Sequence, residues 1–220
     1  MNRYINNPRI TYLKHNKNRN GAAARNTGIN FSSAEYISFL DDDDFFMPTK
    51  IESQLNELVE LDETWGGCTC FHIRRYKSYA YKKIALNTNE HGNYCYDFLA
   101  GLTSTPSSTL LIRSSVFQEI GLFDVSFIRH QDLEFLVRFY QKYKMTVSKN
   151  YDVYMQIEGF RNYPNPNFAN NIKSKFLNTF KGVIDQYPFE KQENIYKFQW
   201  FEVTCLYLKD RDFHNSATLL

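Results

Sequence analysis

The sequence predicts an α/β fold over residues 1–165, a mixed sheet flanked by helices, followed by a helical region over residues 166–220. Three observations lead there. The stretch "YISFLDDDDFFMP", residues 36–48, reads as a short strand, an acidic loop and the start of a helix. Further on, "QDLEFLVRFYQKY" sets Leu133, Leu136, Val137 and Tyr140 on one helical face, between strand-like segments. After "RNYPNPNF", a break of proline and asparagine, two helical patterns follow with no strand between them.

In chain order, "RITYL" at 9–13 alternates like a strand, "KHNKNRNG" is a polar loop, and "AAARNTGINFSS" is a short helix with an alanine-rich start. Tyr36, Ile37, Phe39 and Leu40 form a buried strand, and Phe45, Phe46 and Met47 make the far side of the acidic run apolar. Pro48 suits a first helical turn, and Ile51, Leu55, Leu58 and Val59 recur at helical spacing to about residue 62. Gly66 and Gly67 break the chain before a strand in "CTCFHIRRY", and a polar stretch occupies 77–95. "STLLI" at 108–112 is a strand, and "SSVFQEIG" a helix with a serine cap and a glycine stop. "MTVSK" and "DVYMQI" are two further strands. The two C-terminal helical patterns are amphipathic, fit to pack on the preceding core or to touch a membrane surface.

The bulk numbers bound the function. With 220 residues the chain can build one sizeable core, and a formal net charge of +2 argues against a nucleic-acid binder. The 19 Phe and 16 Tyr suit a sugar-stacking surface or a membrane-facing skirt, and a plain aromatic core at least as well. Cys68, Cys70, Cys95 and Cys205 offer one C-x-C pair with nothing to complete a zinc site, so reduced thiols in a cytoplasmic protein are expected. No segment approaches the roughly 18 apolar residues of a membrane span, so any membrane contact is expected to be peripheral.

The acidic run is the chemical signal. In open α/β sheets ligands bind beyond the carboxyl ends of strands, where this loop would lie. Carboxylates held that close need a counter-charge, and a hard cation with oxygen preference, Mg2+ or Mn2+, suits them. A solvated acidic turn is the plainer alternative.

Three stretches, "NGAAARNTGINFSSAEYISFLDDDD", "STLLIRSSVFQEIGLFD" and "HQDLEFLVRF", in this order, resemble the family 2 glycosyltransferases of the Rossmann-like GT-A fold, over roughly residues 9–145. The resemblance implies a metal-dependent, inverting transfer of sugar from a nucleotide-sugar donor, a UDP-sugar, to a glycan or lipid-linked glycan. Bacterial surface polysaccharide or lipooligosaccharide is the implied acceptor, and the inner face of a bacterial membrane the implied place. Asp41 and Asp43 match the Asp-x-Asp pair, with Asp43 as the direct metal ligand, and Asp44 its acidic neighbour toward the donor sugar. Arg25 and Asn26 match nucleotide-side residues. Asp132 falls at the catalytic base, preceded by Gln131 where the family often has glutamate; His130 reads as a bystander, with an acceptor contact as the alternative, and Asp124 as structural. The family's first βαβ unit is not matched, "NPRITYL" corresponding to its third strand, so a truncated GT-A domain is expected and an inactive remnant is the alternative. A magnesium-dependent phosphohydrolase also opens on a strand and Asp-x-Asp, but Phe45 stands where that class wants Thr or Val.

Overall fold

A computed structural model describes residues 7–76, 81–86, 91–157, 165–212 and 214–215. Parts of the polar stretch 77–95 and of the proline and asparagine break fall outside these residues. Helix α1, Gly21–Phe31, begins where Asn20 Oδ1 accepts a hydrogen bond from Ala23 N at 3.0 Å. Strand β1, Tyr36–Ser38, enters the acidic run and β2, Asp44–Phe46, leaves it. Then come α2 (Lys50–Leu58), β3 (Trp65–Tyr76), β4 (Tyr81–Ile84) and α3 (Cys95–Leu99). A 3-10 turn at Ser107–Thr109 precedes β5 (Leu111–Arg113), α4 (Ser114–Ile120), α5 (Gln131–Tyr140) and β6 (Lys144–Ile157). Helices α6 (Pro166–Thr179), α7 (Lys181–Ile184) and α8 (Phe189–Lys209) follow.

The sheet runs β1-β5-β3-β6-β2, with β4 added to β3; β3 and β6 are parallel and the other pairs antiparallel. Strands β1 and β2 lie at opposite ends of that path yet are consecutive in the chain. Ser38 is in register with Leu111, Cys68 and Thr146, whereas Asp44 is in register with Met155, itself opposite Arg74. In a flat sheet these two places would be about 28 Å apart, from strand spacings of about 4.8 Å and rises of about 3.3 Å. The chain from Ser38 to Asp44 reaches only about 21 Å when extended. The sheet must therefore curl, and the acidic loop closes the curl.

Several expectations change on folding. "RITYL" makes no strand: Ile10, Tyr12 and Leu13 are exposed, because alternation without a neighbouring strand has no ladder to join. Strand β1 stops at Ser38, and Leu40, Phe45 and Met47 are exposed, so the acidic loop is walled mainly by Phe39 and the half-buried Phe46. Gly66 and Gly67 lie inside β3 rather than breaking it, since a Cβ at Gly67 would stand 2.7 Å from Ile112 Cδ1 and 2.8 Å from Leu111 O. The two predicted strands after α5 are one, β6, irregular where Cys70–Phe71 faces Ser148–Tyr151. Ser108 and Thr109 form the 3-10 turn before β5, and α4 lacks a side-chain cap, though Gly121 stops it with φ of 83°.

A main core joins the sheet, α3–α5 and the C-terminal helices, and a smaller cluster of Ala169, Val203, Leu206 and Tyr207 packs α6 on α8. Phe117 and Phe123 stack on Phe135 with ring centroids 5.3 Å and 4.6 Å away, and Phe176, Phe180, Ile184 and Ile195 of the C-terminal helices belong to the same cluster. The aromatic richness therefore serves the interior first.

Candidate active site

Helix α2 anchors the acidic loop by a face that its apolar spacing predicts only in part. Leu58 is buried as expected and Leu55 partly so, but Ile51 and Val59 are exposed, and Lys50 and Gln54, in line with Leu58 at four-residue spacing, are buried. Lys50 Nζ donates to Ser38 Oγ at 2.8 Å and to Leu110 O at 3.4 Å, and sits 4.2 Å from the centre of the Phe46 ring. It thus grips the chain before the loop, after the loop and beside it. Burial pushes its ammonium down to about 8. Gln54 Nε2 donates to Cys68 O and Thr109 O at 2.9 Å and 2.8 Å, fixing α2 to the sheet.

Within the loop, Asp41 N donates to Ser108 Oγ at 3.1 Å, and Asp44 N to Asp41 O at 3.1 Å. Asp42 and Asp43 are exposed. Asp44 is buried, and burial raises its carboxyl, against a Ser108 hydrogen bond and with Asp41, Asp43 and Asp42 adding to the rise. Its Oδ2 has no hydrogen-bond partner among the described residues.

Arg25 is the hub. From α1 it pairs with Asp41 Oδ1 at 2.7 Å, reaches Gln131 Oε1 at 3.4 Å and lies over Phe123 at 5.8 Å. It thereby ties the acidic loop to the start of α5, where Asp132 Oδ1 accepts from Leu133 N at 3.0 Å. Burial raises the Asp132 carboxyl; the Leu133 amide and the Arg25 guanidinium oppose the rise, and Asp41 adds to it. His130, just before the helix, holds a left-handed backbone with φ of 61°, a conformation non-glycine residues keep only when surroundings enforce it. Asn26 engages a different neighbour: its amide donates to Phe123 O at 2.8 Å and accepts from Phe123 N at 3.0 Å, holding the "GLFD" turn on α1. Asp124 likewise caps its own turn, accepting from Ser126 N at 2.7 Å.

Arg25, Asp41 and Asp132 are therefore assembled, Asp43 and Asp44 lie on the same loop, and Asn26 faces the protein. Lys50, Gln54 and Ser108 are supports that periodicity did not reveal; a lysine and a glutamine spaced i, i+4 on a helix beside an acidic loop were the available signal. A groove of about 560 Å3 follows α1 and β1 to Arg25, Asp41 and Asp42, and Asp132 lines a second cavity of about 450 Å3.

The donor set fits Mg2+ or Mn2+. Its atoms are hard carboxylate oxygens, and the orphaned Asp44 Oδ2 is a buried acceptor in want of a partner. Among the described residues no three His, Cys, Asp or Glu side chains are grouped to hold an ion by themselves. Such a set suits a cation shared between one or two carboxylates and the phosphates of a ligand.

A family model described as Glycosyl transferase family 2 matches residues 1–120. The chain is similar to the uncharacterized glycosyltransferase MJ1057 of Methanocaldococcus jannaschii, with 27% identity over 209 residues, covering 88% of this chain and 65% of that protein. It is also similar to the amylovoran biosynthesis glycosyltransferase AmsB of Erwinia amylovora, with 30% identity over 136 residues, covering 54% of this chain and 40% of AmsB. The chain thus spans less than two thirds of the length of these curated relatives. The crystal structure of S. aureus TarS 1-349 overlays 91% of this chain and 69% of that one, at 13% identity and a TM-score of 0.47.

Proposed function

This chain belongs to glycosyl transferase family 2, and from that membership we propose that it moves a sugar from a nucleotide-sugar donor, a UDP-sugar, to a glycan or lipid-linked glycan acceptor with inversion. One observation carries the reading: Arg25 bridges the acidic loop and the start of α5, and Asp41 is near enough to Asp132 to raise its carboxyl. A carboxylate able to hold a cation for the leaving diphosphate, and a base, are the two parts such a transfer needs. Asp132 takes the proton of the acceptor hydroxyl as its oxygen attacks the anomeric carbon. Its raised pKa brings it nearer the operating pH, where a base is most effective. Arg25 orients Asp41 and balances part of its charge, and Asn26 keeps α1 fixed to the turn behind Phe123. A bound Mg2+ or Mn2+, held by Asp43 and Asp41 with Asp44 toward the donor, would supply Lewis-acid stabilisation of the leaving diphosphate. The similarity to a protein of amylovoran biosynthesis supports a polysaccharide as acceptor, and a surface polysaccharide or lipooligosaccharide is our reading of it. A lipid-linked acceptor would bring the chain to the membrane peripherally; no helix among the described residues is long and apolar enough to cross one.

Two variants test the assignment together. Asp43→Asn loses Mn2+-dependent UDP binding in calorimetry, whereas Asp132→Asn retains it and transfers sugar at least about a hundredfold more slowly. Unchanged Mn2+-dependent UDP affinity in Asp43→Asn would remove the loop from the donor site.

A further inference from the structure

Helix α8 carries Phe198 and Phe201, one turn apart, 49% and 64% exposed. Both line the cavity of about 450 Å3 that Asp132 also lines, together with His130, Lys173 and Glu202. Two aromatic rings that leave about half or more of their surface bare line a concavity beside a half-buried carboxylate, and a concave site with a few convergent polar groups is what a small ligand needs. We propose that α6 and α8 build the acceptor subsite, and that it takes an uncharged sugar ring: Phe198 and Phe201 stack against its C–H face, while Glu202 and His130 bind its hydroxyls. The inference rests on the base role of Asp132 and adds the chemical class that meets it.

The polar groups point to hydroxyls rather than to phosphate. Lys173 on α6 donates to Glu202 Oε2 at 2.9 Å and to Gln199 Oε1 at 2.8 Å, so this cation is already engaged. Burial alone would raise Glu202, but Lys173 outweighs it and holds the carboxyl below its ordinary value. Glu202 is thus an ionised acceptor in fixed position, suited to sugar O–H donors. Burial, with Lys173 adding to it, pushes His130 down to about 4, so at neutral pH it presents one N–H and one lone pair, a match for a hydroxyl. The electron-rich faces of the two rings attract the weakly positive C–H face of a pyranose. An anionic phosphate would meet Glu202 with like charge, and so would the anionic headgroups of a membrane.

The test uses the full chain, a panel of methyl glycosides of glucose, galactose, mannose and N-acetylglucosamine, and vesicles of phosphatidylglycerol. Saturation-transfer NMR should show ring C–H signals from at least one glycoside with the wild type, and their loss in the double variant Phe198→Ala/Phe201→Ala. Removing two exposed rings should leave the thermal midpoint and the Mn2+-dependent UDP affinity unaltered, and weaken binding of the responding methyl glycoside about tenfold. Absence of signal from every glycoside with the wild type, or equal signal from wild type and variant, overturns the proposal. Vesicle binding that the double variant loses, without glycoside signals, overturns it in favour of a membrane face. Failure of UDP to bind the wild type would sink the transferase reading instead, and the glycoside signals would still judge this cavity on their own.

Discussion

Asp132 shows how one residue's charge state links stability to chemistry. Burial raises its folded pKa above the ordinary carboxylate value. A carboxylate shifted that way favours folding at low pH and loses that contribution as pH rises through the folded pKa, because the fold then holds an anion it disfavours. Asp132→Asn therefore keeps or slightly raises the thermal midpoint at pH 7 while turnover collapses; a large fall in the midpoint would make the residue a structural cap. Arg25 works on the same carboxyl in the opposite sense. Arg25→Ala should lift the Asp132 pKa further, so the acid limb of the pH–rate profile moves to higher pH. An unmoved limb in the variant would mean that Arg25 serves only the acidic loop.

At the scale of elements, α2 and β3 decide whether the acidic loop keeps its shape. Lys50 has a folded pKa of about 8 against an ordinary 10.5. Between those values the unfolded chain binds more protons than the folded one, so this group makes stability rise with pH across that window. Urea midpoints measured across it should separate the wild type from Lys50→Met, in which that rise is gone. Gly67 is a second fixed point: in Gly67→Ala the new Cβ meets backbone at Leu111 O and cannot be accommodated by a rotamer change alone. Overpacking of this kind costs about 1–3 kcal/mol and would pry β3 from β5. A wild-type-like urea midpoint for Gly67→Ala would show that the sheet yields there.

For the whole molecule, the C-terminal helices are the question. Phe176, Phe180, Ile184 and Ile195 share the main core with Phe135 and Tyr140, so removing residues 166–220 would bare one face of that core. Calorimetry of the full chain should show a single cooperative transition, and a version ending at residue 165 should lose it. Two resolved transitions in the full chain would make the helices an independent unit. The shared core also explains why a cavity can have Asp132 on one element and α8 on another: the helices are held firmly enough to form a wall.

The strand that enters the acidic loop, helix α2 beyond it, the helix at Gln131–Tyr140 and the helical C-terminal region were legible in the amino-acid order, because period and turn chemistry are local properties of the chain; β2, Asp44–Phe46, between the loop and α2 was not, since its pairing partner β6 lies over a hundred residues away. The family likeness was legible for the same reason, being carried by short motifs in a fixed order. What the order of residues left open were matters of partnership. "RITYL" alternates correctly but meets no strand, "MTVSK" and "DVYMQI" merge because β3 runs beside both, and Gly66–Gly67 is a strand because α4, α5 and β5 press close upon it. The inward face of α2 depends on Ser38, Leu110 and Phe46, which offer a lysine hydrogen bonds and an aromatic ring that its apolar neighbours could not use. The meeting of Arg25 with Asp41 and Gln131 joins α1, the acidic loop and the start of α5, the last 106 residues away from Arg25, and only tertiary packing brings them within reach. Local interactions choose the elements; side-chain partners remote in the chain choose which of their faces turn inward and which residues share a site.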